Sequence, residues 1–237
     1  SLRRSARGLV LAKTLLEVAR HFHHQQEQQQ ATEYYKRCVD IVEEAIKVRL
    51  EDDSAAGKRA VAYANFMLSE VFSGLGIAYN DLGEQEKSLE VLRKALELRK
   101  ETVGGKHPSL AECYNNLGAI YQGRGSHQKA VEYYEQAIEL LTEAAGGNPN
   151  SAHIAFTLYN VGLCRSLLGH PDLAEKSLKR ALQMAEQVLG EENEMVDLIR
   201  NTIRMGGSKA TAGSPGPGPH AGVGGGGAGP GGASSST

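Results

Sequence analysis

The chain has no tryptophan, four phenylalanines and three cysteines, and only three of its seven prolines lie outside the last 32 residues. Cys38, Cys113 and Cys164 are far apart and odd in number. A disulfide framework and a close zinc-binding pair are both disfavoured, and reduced thiols of a cytoplasmic protein are the plainer expectation. Charge of one sign is lacking as well: 26 basic against 28 acidic residues give a net charge of −2. Such a field draws neither nucleic acid nor an anionic membrane to the surface. No uninterrupted apolar run approaches the roughly 18 residues a membrane-spanning helix needs. Arg3, Arg4 and Arg7 precede an apolar stretch, as in a targeting segment, but Lys13 and Glu17 interrupt it and no small-residue cleavage site follows. The first residue is Ser1 rather than methionine, which reads as a processed chain or a piece of a longer one.

Catalytic signatures are missing too. There is no G-x-S-x-G, H-E-x-x-H, phosphate-binding glycine loop or dinucleotide fingerprint, so no enzyme is expected. His21, His23 and His24 form the only histidine cluster. One helix face could offer His21 and His24 to a metal, but no nearby Cys, Asp or further His completes a ligand set. A solvated polar tract is the expectation, with no metal and no cofactor.

Glycine, by contrast, is abundant, and its distribution divides the chain. Thirteen of the 28 glycines and four of the seven prolines fall within the last 32 residues. The segment 205–237 therefore has almost nothing to bury and is expected to be a disordered Gly/Pro/Ser-rich tail. Residues 1–11 read as a lead-in, and 12–204 as the folded domain.

That domain repeats itself. Around Tyr114 the sequence carries Tyr114, Leu117-Gly118 and Tyr121, then Gly125, Ala130, Tyr134 and Ala137. Forty-two residues earlier the same offsets give Phe72, Leu75-Gly76, Tyr79, Gly83, Ser88, Leu92 and Ala95. Forty-four residues later they give Leu158, Val161-Gly162, Arg165, Gly169, Ala174, Leu178 and Ala181. A weaker leading copy has Leu15, Val18-Ala19, Phe22, Gln26, Ala31, Tyr35 and Cys38, with Gln26 where the others have glycine. Each unit reads as two antiparallel helices with apolar stripes at i, i+3, i+4 and i+7. A turn glycine separates the two stripes, and Pro108 and Pro149 separate successive units. The first two copies lie 57 residues apart. The surplus fits either one long helix or a small extra one.

These residues resemble the tetratricopeptide repeat, whose pattern runs W-x2-L-G-x2-Y…A-x3-F…P. The longer period, with Val103-Gly104-Gly105-Lys106-His107-Pro108 between units and a partial match at Leu189–Asn193, is similar to the extended repeats of kinesin light chains and nephrocystin-3-like proteins. The resemblance implies an all-α fold, a right-handed superhelical solenoid of antiparallel helix pairs. The stripe Val196, Ile199, Ile203 reads as a capping helix for its last pair.

The resemblance further implies a non-enzymatic scaffold that binds an extended peptide of a partner protein in its concave groove, within a kinesin-linked, cytoskeletal or ciliary assembly. The protein would act as a monomer or as part of a larger assembly. Groove candidates on the first helix of each pair are Asn80, Asp81, Glu112, Asn115, Asn116, Gln122, Tyr159, Asn160 and Arg165. In the resembled family, asparagines at the places of Asn116 and Asn160 hydrogen-bond the ligand backbone, and an amide offers both donors and an acceptor. Acidic residues on the second and third pairs, against Tyr159 and Arg165 on the fourth, suggest a ligand basic at one end and apolar or acidic at the other. Two alternatives stand beside this reading: a chaperone co-factor clamping acidic carboxyl termini, which needs several inner-face cations where only Arg165 is offered, and a regulatory fragment of a larger enzyme or signalling protein.

Overall fold

The computed structural model describes residues 2–50, 52–146 and 151–206. The tail beyond 206 and the linker at Pro149 lie outside the described residues. Within them the chain is all helix: α1 (Leu2–His24), α2 (Gln28–Leu50), α3 (Ala55–Asp81), α4 (Gln85–Val103), α5 (Leu110–Gly123), α6 (His127–Ala144), α7 (Ala152–Leu167), α8 (Pro171–Leu189) and α9 (Glu194–Arg204). Consecutive helices pair as α1/α2, α3/α4, α5/α6 and α7/α8, and each pair stacks on the next through α2–α3, α4–α5 and α6–α7. The result is an all-α solenoid of helix pairs.

The glycine of each Leu/Val-Gly motif sets the distance inside a pair. A β-carbon at Gly76 would lie 2.5 Å from Leu92, one at Gly118 would lie 2.7 Å from the Tyr134 ring, and one at Gly162 would lie 2.7 Å from Leu178. Those partners are the large residues of the facing helix, and all three are essentially unexposed. The motif thus replaces a side chain by direct contact of backbone with a Leu or Tyr.

Each pair turns in the same way. Gly83, Gly125 and Gly169 have φ of 78°, 71° and 79°. The residue after each donates its N–H to the carbonyl of Tyr79, Tyr121 or Arg165, while the glycine N–H bonds Asn80, Gln122 or Ser166. These two bonds close a Schellman cap over the helix end. The first pair builds the identical cap without glycine: Gln26 stands at φ 61°, with Glu27 bonded to Phe22 and Gln26 to His23.

Two expectations change. From residue 2 onward the expected lead-in forms the first turns of α1, where Leu9 and Ala12 are buried and Ser5 bonds the Ala45 carbonyl of α2. The surplus residues make no extra helix. They lengthen α3 to 27 residues, capped at Ser54, whose side chain accepts from Gly57 N–H. This length gives α3 one stretch apolar enough to match a membrane span by composition. Its Met67, Leu68, Val71, Leu75 and Ala78 are instead buried among neighbouring helices. At the far end α9 covers α7 and α8 with Val196 and Ile199, both fully buried.

Three expected outcomes follow from these contacts, all read by urea denaturation. Gly118→Ala should destabilise by about 1–3 kcal/mol through overpacking. Gly123→Ala, whose new methyl would meet nothing closer than 3.9 Å, should stabilise by up to about 1 kcal/mol through helix propensity. Gln26→Gly should stabilise by about 0.5–1 kcal/mol, the left-handed strain of a side chain less the extra entropy of glycine. A loss of stability there would show that the glutamine side chain does something the turn needs.

Candidate functional site

The first helices α1, α3 and α5 touch one another across pairs, whereas the second helices do not pack together to a comparable extent. The first helices therefore line the inner side of the array. Along it the candidate residues occupy repeating places, but their surroundings differ.

Asn116 is half-buried and its Nδ2 has no partner. At the equivalent place one pair further on, Asn160 is 1% exposed and its Oδ1 has no partner. Asn115 is buried and used in packing, its Oδ1 accepting from the Thr157 hydroxyl of α7 at 3.1 Å. Tyr159 is also buried, its hydroxyl 3.5 Å from that of Thr202 on the cap. Gln122 accepts from the Tyr134 hydroxyl at 2.9 Å, and Asn80 is half-buried at the end of α3.

The charged candidates are all engaged. Asp81 lies 3.4 Å from His23 Nε2, so one member of the histidine cluster bridges α1 to α3 rather than standing in solvent. Burial raises the Asp81 carboxyl above its usual range, with His23 opposing. Arg165 bonds Glu135 of α6 and Ser177 of α8, both at 2.6 Å. The cation expected at the far end of the groove is thus turned towards the second helices. Burial likewise raises the carboxyl of Glu70, which lies 3.8 Å from Arg20.

Glu112 leads to a residue that the sequence pattern did not single out. It pairs at 3.1 Å with Arg99 of α4, which is 1% exposed. Arg99 occupies the place held in the other pairs by Val42, Leu141 and Ala185. It donates to the Ser69 hydroxyl and the Ser109 carbonyl, both at 3.0 Å, lies over the Phe66 ring, and keeps Nη2 without a partner. A charge at an otherwise apolar repeat position is the signal that would have marked it.

The three thiols are buried, and burial pushes Cys38 up to about 11 and Cys164 up to about 12. Among the described residues no three His, Cys, Asp or Glu side chains converge as a metal site would require.

Residues 67–143 and 157–188 match the tetratricopeptide repeat family. A Podosopora anserina protein of nearly identical TPR-like repeats, assigned to the kinesin light chains, superposes with a TM-score of 0.55 at 16% identity, over 82% of this chain and 84% of that one. BtubC (BKLC) from P. vanneervenii does so with 0.53 at 21%, over 85% and 81%. The aspartyl phosphate phosphatase F of Bacillus subtilis reaches 0.61 at 13%, over 84% of this chain and 49% of that one. At such identities the likeness concerns the fold alone. No curated protein sequence matches this one. The chain is a tetratricopeptide-repeat protein whose fold resembles the kinesin light chain repeats. Its class is that of the protein-interaction scaffolds.

The Arg99 network should be measurable. Arg99→Ala removes its two hydrogen bonds and its ion pair, and should cost about 2–3 kcal/mol in urea unfolding. Glu112→Gln, which leaves the bonds to Ser69 and Ser109 in place, should cost about 1 kcal/mol or less.

Proposed function

We propose that this protein is a non-enzymatic adaptor that holds an extended segment of a partner protein along its inner face. The observation that carries the reading is a set of unmatched polar atoms. Asn116 Nδ2, Asn160 Oδ1 and Arg99 Nη2 are shielded from solvent and unpartnered. Each such atom is destabilising by about 1–3 kcal/mol unless something completes it. A free donor on one inner helix and a free acceptor at the equivalent place of the next are what successive carbonyl and N–H groups of an extended backbone require. Asn116, the more open of the two, would make the first contact, and the buried Asn160 would have to turn its amide outward to make the second.

Backbone recognition dominates in this reading, because the inner-face charges are already in use. Arg20 holds Glu17, Arg99 holds Glu112 and Arg165 holds Glu135. Among the described residues these guanidiniums beside the groove candidates are therefore engaged, which counts against a clamp for a terminal carboxylate of the kind the chaperone co-factor needs. A basic ligand residue would settle beside Glu70, whose burial such a residue would offset. On our reading this adaptor belongs in a cytoplasmic transport, cytoskeletal or ciliary assembly.

The test is a pull-down from cell extract with wild type and the double variant Asn116→Ala, Asn160→Ala. The variant should keep its helical circular dichroism and lose at least tenfold in partner retention. Equal retention would move the binding surface off the inner face.

A further inference from the structure

The outer seams between pairs repeat a second arrangement. The place of Phe22 recurs as Tyr79, Tyr121 and Arg165, and that of Tyr34 as Val91, Tyr133 and Ser177. Phe22 and Tyr34 stack with ring centres 5.2 Å apart, and Tyr121 and Tyr133 with centres 5.3 Å apart, each pair within 9° of parallel. Every seam places a charged residue of the preceding second helix against this position. Lys36 lies 5.6 Å from the centre of the Tyr79 ring. Arg93 donates to the Tyr121 hydroxyl at 2.6 Å. Glu135, in the same register, pairs with Arg165. A lysine of the tyrosine's own pair, Lys87 or Lys129, lies 5.6 Å from the other side of each ring.

The seam between α4 and α6 is the richest in cations. Lys100 adds a contact to Tyr114, 5.8 Å from its ring centre, and Tyr133 also lies 6.2 Å from Tyr114. The nearby carboxylates are committed elsewhere: Glu84 to Lys87, Glu86 to Arg124, Glu90 to Lys94 and Glu97 to Lys100. Exposed Arg93 and Lys129 are in no ion pair among the described residues; Arg93 faces Tyr121 and Tyr133, with Glu86 further off, and Lys129 lies over Tyr121. One edge of the Arg93 guanidinium is held by a neutral phenol, which leaves its remaining donors set for a carboxylate.

We infer that this outer seam, formed by Arg93 and Lys129 over Tyr121 and Tyr133, is a second docking surface, and that it takes a short acidic segment of a partner protein. The seam offers two unpaired cations, which match a few Asp or Glu side chains rather than the long run of charges on a nucleic-acid backbone. The stacked rings supply rigid contact area for the aliphatic parts of those side chains. The surface is separate from the inner face and stands whether or not that face binds peptide.

The experiment is fluorescence anisotropy with a fluorescein-labelled deca-glutamate peptide at low salt. Wild type should bind it, with affinity falling as salt is raised. Arg93→Gln with Lys129→Gln, which keeps both side-chain stems in place, should weaken binding at least tenfold. Asn116→Ala with Asn160→Ala should leave it unchanged, so the inner-face reading is tested separately. Absence of binding by wild type at millimolar peptide would overturn the inference. So would unchanged affinity in the Arg93/Lys129 variant, or equal binding of a labelled oligothymidylate.

Discussion

The architecture depends on one steric condition: inside the second, third and fourth pairs, one helix must lay bare backbone against a large side chain of the other. Gly76 meets Leu92, Gly118 meets Tyr134 and Gly162 meets Leu178, each at a distance that a β-carbon would violate. Once this approach is fixed, the remaining stripe residues fall at depths where Tyr and Leu fill the space between pairs. The clusters around Leu117 and Tyr134, and around Leu158 and Leu178, are its direct products. A helix pair so closed still has an uncovered flank, which is why the array must continue until α9 ends it with Val196 and Ile199.

Most of this was legible in the sequence, because the repeat register states which residue faces which. The turn positions, the paired helices and the cap could all be read from offsets alone. Less legible was where the register stops being informative. The stripe of α1 continues back through Ala12 and Leu9, since helical periodicity has no marker for its beginning when no capping residue intervenes. The 57-residue spacing could not be resolved into one helix or two, because both place apolar residues at helical spacing. At the candidate site, equivalent places in the repeat proved unequal in exposure. Asn116 is half-open while Asn160 is closed, although α5 and α7 are both buried along most of their length. Repeat spacing gives the direction of a side chain along its helix and says nothing of what lies on top of it.

Polar groups follow the same logic of shared register and local exception. At the outer seams a single position is aromatic three times and a guanidinium once, and the residue opposite Arg165 changes sign with it, from Lys36 and Arg93 to Glu135. Such paired changes keep an attractive contact at each seam while varying the charge it presents to solvent. Arg99 is the counterpart on the inner side: a charge in a place otherwise apolar, accommodated because the Ser69 hydroxyl, the Ser109 carbonyl, a ring and a carboxylate gather around it.

The unequal helix lengths have a mechanical meaning. The first three helices run 23, 23 and 27 residues, whereas α5 has only 14. In a structure held together by neighbour contacts alone, the broad overlap of α2 with α3 makes a stiff N-terminal block, and the narrower α4–α5 seam is the compliant joint between pairs. Arg99 spans that joint like a bolt, fastened to Ser69 on one side and to Ser109 and Glu112 on the other. Any bending of the array would fall at that narrow seam, against the hold of Arg99 and beside the Arg93–Tyr121 contact, so a partner seated on the outer seam would bear on the curvature of the inner one.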